Sequence, residues 1–178
     1  MATWWLGAIL LVVVAAIVVV FNELVAARNQ VRAAWSDIDV QLTRRHDLVP
    51  QLVGAVQGYA SYERATLTSV TELRARAMAA ASVADKGQIE GELGQQIKRI
   101  LALQERYPDL KASQNFLQLQ HDLVDVEDHL QYARRFYNGA VRDLNNRIET
   151  FPSLVVARLA NFKPAQFFRQ GDGQEAPA

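Results

Sequence analysis

Between His121 and His129 the chain sets His121, Asp122, Asp125, Glu127, Asp128 and His129 within nine residues. That density of imidazole and carboxylate is the kind that ligates divalent metals. Helical phase argues against a site. Leu119, Leu123, Val126 and Leu130 form one apolar stripe through the same stretch, which turns His121, Asp125 and Asp128 to the opposite face, where an acidic helix meets water. A di-metal site in a bundle core needs Glu-x-x-His on two helices with the ligands facing inward, and no Glu-x-x-His occurs in this chain. His46, beside Arg44, Arg45 and Asp47, has the titration range of a pH switch or general base. Its setting favours a blander reading, because basic residues complement the dipole at a helix end. No Gly-rich phosphate loop and no nucleophile beside a base is visible, and there is no cysteine. The expectation is no catalytic, cofactor-binding or metal-ligating residue, no cofactor and no small-molecule substrate.

Any function must then come from where the chain sits and what surfaces it offers. The 178 residues carry 19 basic and 19 acidic side chains, so no net field favours nucleic acid. From Trp4 to Phe21 the sequence WWLGAILLVVVAAIVVVF has no charge or strongly polar group. With the residues before it, the stretch makes a helix of about 20 residues and roughly 30 Å, the thickness of a bilayer core. Its β-branched residues lower helicity in water, but in lipid only a helix satisfies every backbone group. A cleaved signal peptide calls for basic residues before the apolar run and a small-x-small site after it; here no Lys or Arg precedes Trp4, and Asn22-Glu23-Leu24 follows. The reading is a retained transmembrane anchor over residues 1–21, with the lipid bilayer as its first partner. Arg28 and Arg32 follow the span closely, which places the rest of the chain on the cytoplasmic side of the inner membrane as a single-pass protein. Trp4 and Trp5 belong at the far interface and Phe21 at the near one.

Beyond the anchor, apolar residues recur at helical spacings of three and four. Leu24, Val31, Trp35, Ile38 and Leu42 mark a first stripe that also contains Arg28 and Arg45. Pro50 suits the first turn of a new helix better than the middle of an old one, so the chain is expected to reverse at His46 to Pro50. A second helix of about 30 residues then runs along Val49, Val53, Val56, Leu67 and Val70. Ile89, Leu93, Ile97, Ile100 and Leu103 give a shorter third helix. Phe116, Leu119, Leu123, Val126, Leu130, Tyr137, Ala140 and Leu144 give a long fourth, with Ser113 able to cap it. No segment alternates with a period of two. The fold class is therefore all-α: an N-terminal transmembrane helix continuing into an antiparallel bundle of about four helices over residues 22–168, followed by a disordered polar tail, 169–178.

The stretches FNELVAARNQVRAAWSDIDVQLTRRHDLVPQLVGAVQGYASYERATL at Phe21 to Leu67, YPDLKASQNFLQLQHDLVDVEDHLQYARRFYNGAVRDLNNRIETFPS at Tyr107 to Ser153 and ANFKPAQFF at Ala160 to Phe168 together resemble the LemA family. The resemblance implies a membrane anchor and a helical bundle, and it brings no enzymatic activity with it.

Three finer expectations follow from the residues. Reversal at Pro50 brings Glu63, on an apolar stripe, back beside Arg28 or Arg32 as a buried ion pair. Asn138 and Asn145, unusual inside a helix, serve as polar contacts that fix register. Leu154 to Phe168 lies close to the membrane surface, either packed across the end of the bundle or reaching lipid through Phe162, Phe167 and Phe168. The functional class these features imply is a non-enzymatic scaffold, self-associating or meeting other membrane proteins. A membrane-shaping or lipid-binding role for the C-terminal aromatic segment is the alternative.

Overall fold

A computed structural model of the chain describes residues 2–59 and 63–170, with side chains from Trp4 onward. It is all-α, with no strand among the described residues. The helices are α1 (Ala2–Gln57), α2 (Arg64–Ala79), α3 (Val83–Ala102), α4 (Pro108–Ala112), α5 (Gln114–Glu149) and α6 (Ser153–Leu159), with a short 3-10 turn at Leu103–Glu105. The chain forms two compact units, one of residues 1–36 and 135–166 and the other of 37–134 and 167–178.

The second unit is a four-helix core. Val49, Leu52 and Val56 of α1 pack with Leu67 and Val70 of α2, Leu93, Ile97 and Ile100 of α3, and Phe116, Leu119, Leu123 and Val126 of α5. These are the stripes read from sequence, each buried along one helix face. Local signals set the ends. Ser82 caps α3 by accepting the Asp85 N–H at 3.0 Å, Pro108 opens α4, and the Ser113 hydroxyl accepts the Phe116 N–H at 3.4 Å at the start of α5.

The expected reversal at Pro50 does not occur. Pro50 lies inside α1, which runs unbroken to Gln57, so α2 has 16 residues rather than about 30. A proline within a helix leaves the carbonyl four residues earlier without its N–H donor. That carbonyl belongs to His46, and Arg74 of α2 donates to it from Nε at 2.6 Å. With this bond supplied from a neighbouring helix, the proline ceases to be a stop signal.

In the first unit, α1 and α5 run antiparallel. Trp35 meets the Tyr137 ring edge-on at 5.4 Å, and Arg147 bridges to Glu23 at 3.0 Å. Leu24, Val31 and Ala34 of α1 and Val141, Leu144 and Ile148 of α5 are buried there, as are Val156 and Ala157 of α6. Helix α6 ends in a Schellman motif: the Phe162 N–H bonds to the Ala157 carbonyl at 2.9 Å and the Asn161 N–H to that of Arg158 at 3.2 Å. Asn161 takes the left-handed conformation, φ 53°, that this cap requires.

The C-terminal segment is not a free aromatic tail. Phe168 is 0 % exposed, Gln170 accepts a hydrogen bond from Arg134, and the backbone of Arg169 lies directly against Gly87. The expected disorder therefore does not begin at Arg169, and residues 171–178 lie outside the described ones. A β-carbon at Gly87 would collide with the Arg169 carbonyl, and backbone on both sides leaves little room to yield. Gly87→Ala should lower stability by about 1–3 kcal/mol, seen in thermal unfolding. Its segment after Gln166 should also become an early target of limited proteolysis.

Candidate functional site

The most unusual chemistry in the chain lies in the core of the second unit, where three polar side chains are buried among the described residues. Glu90 is 0 % exposed, Arg45 2 % and His46 7 %. Arg45 extends the buried face of α1 into the bundle, and Glu90 occupies the same α3 face as Leu93, Ile97 and Ile100. The guanidinium spans two helices: Nη1 lies 3.4 Å from Glu90 Oε2, and Nη2 bonds to Glu127 of α5. His46 Nε2 donates to the other Glu90 oxygen at 2.6 Å. Through the His46 carbonyl and Arg74, α2 joins the same set. All four helices of this core therefore converge on one charged cluster.

Each buried charge has a compensating partner, as burial demands. Both Glu90 oxygens are engaged, one by Arg45 and one by His46. A small cavity of about 110 Å³ adjoins Arg45 and Glu127, with Gly94, Lys98 and Asp128 in its wall. A larger cleft of about 530 Å³ lies between the end of α1 and α2, lined by Val53, Gln57, Arg64, Leu67, Thr71 and Glu72. What the arrangement does physically is fix register, because sliding any one of the helices would strand a buried charge.

His121, Asp128 and His129 are exposed. Asp125 pairs with Arg44 at 2.8 Å, and the His129 ring approaches the Asp125 carbonyl at 2.7 Å. Glu127 departs from that solvated set by turning inward to Arg45. Among the described residues no three acidic, histidine or cysteine side chains are placed to share a metal ion.

Glu63 does not find the partner expected of it. Its carboxylate is about a quarter exposed and pairs with Arg106, which follows the 3-10 turn. Arg28 instead stacks over the Phe162 ring at 5.0 Å. Arg32 contributes its backbone carbonyl to a 3.2 Å bond from Ser36 Oγ. The expectation failed with its premise, since it rested on a reversal at Pro50.

Asn145 bonds to the extended C-terminal segment. Its amide makes a reciprocal pair with Ala165, donating to the carbonyl at 3.0 Å and accepting the N–H at 2.8 Å. It thereby pins the extended C-terminal segment onto α5. Tyr137 donates from its hydroxyl to the Gln166 carbonyl at 2.8 Å, and burial raises its pKa above the ordinary tyrosine value, which keeps the hydroxyl a donor. Asn138 is also engaged in an interaction. Of the aromatic trio offered to lipid, Phe168 is core and Phe167 is half-buried with Arg169 over its ring. Phe162 packs edge-on to Phe21 at 5.9 Å.

Sequence reasoning missed the cluster. One signal was present in Arg45 on the first apolar stripe. Another lay in the third, whose spacing of three and four through Leu93, Ile97 and Ile100 reaches Glu90 as well as Ile89.

One helix among the described residues, α1, is long and apolar enough to cross a membrane, and none of its apolar window is buried. Trp4 and Trp5 are both largely exposed.

Comparison with known proteins adds a family. The sequence profile of the LemA family matches residues 34–178. The chain is similar to Protein LemA of Metamycoplasma hominis, 29% identical over 157 residues, covering 85% of this chain and 69% of that one. It is also similar to Magnetosome protein MamQ 2 of Paramagnetospirillum magneticum, 22% identical over 190 residues (92% and 70%). Magnetosome protein MamQ of Magnetospirillum gryphiswaldense is 20% identical over 183 residues (88% and 67%).

Proposed function

This chain belongs to the LemA family, and from that premise we propose that it is a non-enzymatic, single-pass membrane protein that presents a helical bundle for association with a second copy of itself or with other membrane proteins. The observation that carries this reading is the continuity of α1. The exposed apolar stretch and the buried face that enters the bundle core belong to one unbroken helix, with no linker between them. An anchor of this kind keeps the chain at the membrane, as befits a scaffold. Trp4 and Trp5 sit at the far interface, and Arg28 and Arg32 put the bundle on the cytoplasmic side.

The interaction surface of this reading is the outer side of α5. Leu117 and Val124, seven residues apart, are each about half exposed, a spacing that keeps the pair on one side of a helix. A photo-crosslinking residue at Val124, activated in native membranes, should give an adduct at the mass of two chains or with a membrane protein. The same residue at exposed Asp47 should give far less. Equal, low yields from both positions would count against the interaction surface.

A further inference from the structure

We propose that the turn at Phe151 and helix α6 form a second membrane contact, an interfacial wedge that lies among the lipid headgroups and upper acyl chains beside the exit of the anchor. The proposal rests on the membrane-anchor reading and goes beyond it. Its first support is register. Helices α1 and α5 are antiparallel, with Tyr137 against Trp35 and Arg147 against Glu23. Phe151 lies four residues beyond Arg147, about 6 Å farther along if the rise continues. That places it level with Val19 or so, inside the apolar stretch of α1 rather than beyond it. Phe162 confirms the level from the other end of α6, since it packs on Phe21.

The second support is what this level exposes. Phe151 is 83% exposed, Val155 49% and Leu159 84%, spaced four apart, while Val156 and Ala157 are buried behind them. Large apolar side chains turned outward at the level of the anchor's exposed apolar stretch point to lipid as the occupant. Arg158 and Lys163, both exposed, flank the row as headgroup partners. The local structure holds the wedge in place: Ser153 Oγ donates to the carbonyls of Arg147 and Thr150 at 2.6 and 2.9 Å, and the Schellman motif closes the other end. A second contact off the axis of α1 would stop the anchor from rotating freely and so fix which side of the first unit faces outward along the membrane.

The test uses the full chain in phosphatidylcholine and phosphatidylglycerol vesicles, with Trp4, Trp5 and Trp35 replaced by Phe and one tryptophan restored at a time. Leu159→Trp should lose most of its emission to lipids brominated in the upper acyl chain and little to lipids brominated near the chain end. Leu11→Trp marks the anchor and Val40→Trp the water-exposed part of α1. If Leu11→Trp is quenched and Leu159→Trp behaves like Val40→Trp, the wedge is overturned and the anchor stands. Emission from Leu159→Trp that is shifted to the blue but unquenched means protein covers the face, which also overturns it. Quenching at neither Leu11 nor Leu159 overturns both readings. Because the chain has no cysteine, Leu159→Cys carrying a nitroxide gives an independent readout should the tryptophan variant misfold. Greater collision with oxygen than with a water-soluble nickel complex supports the wedge, and the reverse overturns it.

Discussion

Glu90→Ala is expected to destabilise the chain by about 3–5 kcal/mol, the range for removing one partner of a buried ion pair. The carboxylate is wholly buried and receives both Arg45 and His46. Its removal leaves Arg45 with Glu127 alone and leaves the His46 ring without its acceptor, in a core where neither can reach water. For a domain of this size the fall in Tm should be on the order of 10 °C, followed by circular dichroism in detergent. Most of that cost comes from stranding charge rather than from the net strength of the pair. Arg45→Met combined with Glu90→Met should therefore recover much of the loss, because apolar side chains of similar volume often replace a buried pair without penalty. A Glu90→Ala variant that melts within about 1 kcal/mol of the parent would mean that water reaches the cluster. Recovery in the double variant should not restore the uniqueness of helix pairing, which would show as broader unfolding and faster amide exchange.

Much of the fold was legible because burial follows helical periodicity. Leu93, Ile97 and Ile100, or Leu119, Leu123 and Val126, announce their helices and their inward faces directly. The failure at Pro50 has a different physical origin. Proline's local preference is real, but the hydrogen bond missing at the His46 carbonyl was supplied by Arg74, 28 residues from His46, and nothing near Pro50 in the sequence says so. Two linked errors followed from it: the length of α2 and the partner of Glu63.

The polar cluster was partly legible for the same reason. A charged residue on an apolar stripe signals a buried charge, and Arg45 gave that signal. Its partners, however, come from α3 and α5, and only packing brings them together. Glu127 shows the limit most clearly, since one local pattern, the acidic run from Asp122 to Asp128, sends most of its members to solvent and one to the core. The aromatic ending stayed open between packing and lipid contact because aromatic rings serve both equally well. Gly87, whose missing side chain admits the backbone of Arg169, decides that Phe168 is core, and a lone glycine in a helix does not disclose what approaches it.

The other large effect concerns the anchor. Residues 4–19 expose apolar side chains around the helix, and the rest of the first unit does not bury them. Lipid accounts for that exposure, with Leu, Ile, Val and Phe each contributing roughly 0.3–0.6 kcal/mol to insertion near the bilayer centre. Over a stretch of this length the sum makes association effectively permanent, whereas a peripheral protein held by charge or by a short amphipathic helix leaves the membrane in strong alkali. The decisive measurement is alkaline carbonate extraction of native membranes, followed by intact-mass determination of the chain recovered from the pellet and comparison with a variant lacking residues 1–21. The full chain should remain in the pellet with the Trp4–Phe21 stretch still attached, and the shortened chain should move to the supernatant. Recovery of the full chain in the supernatant, or of a mature chain from which that stretch has been removed, would contradict the anchor and with it the proposed role.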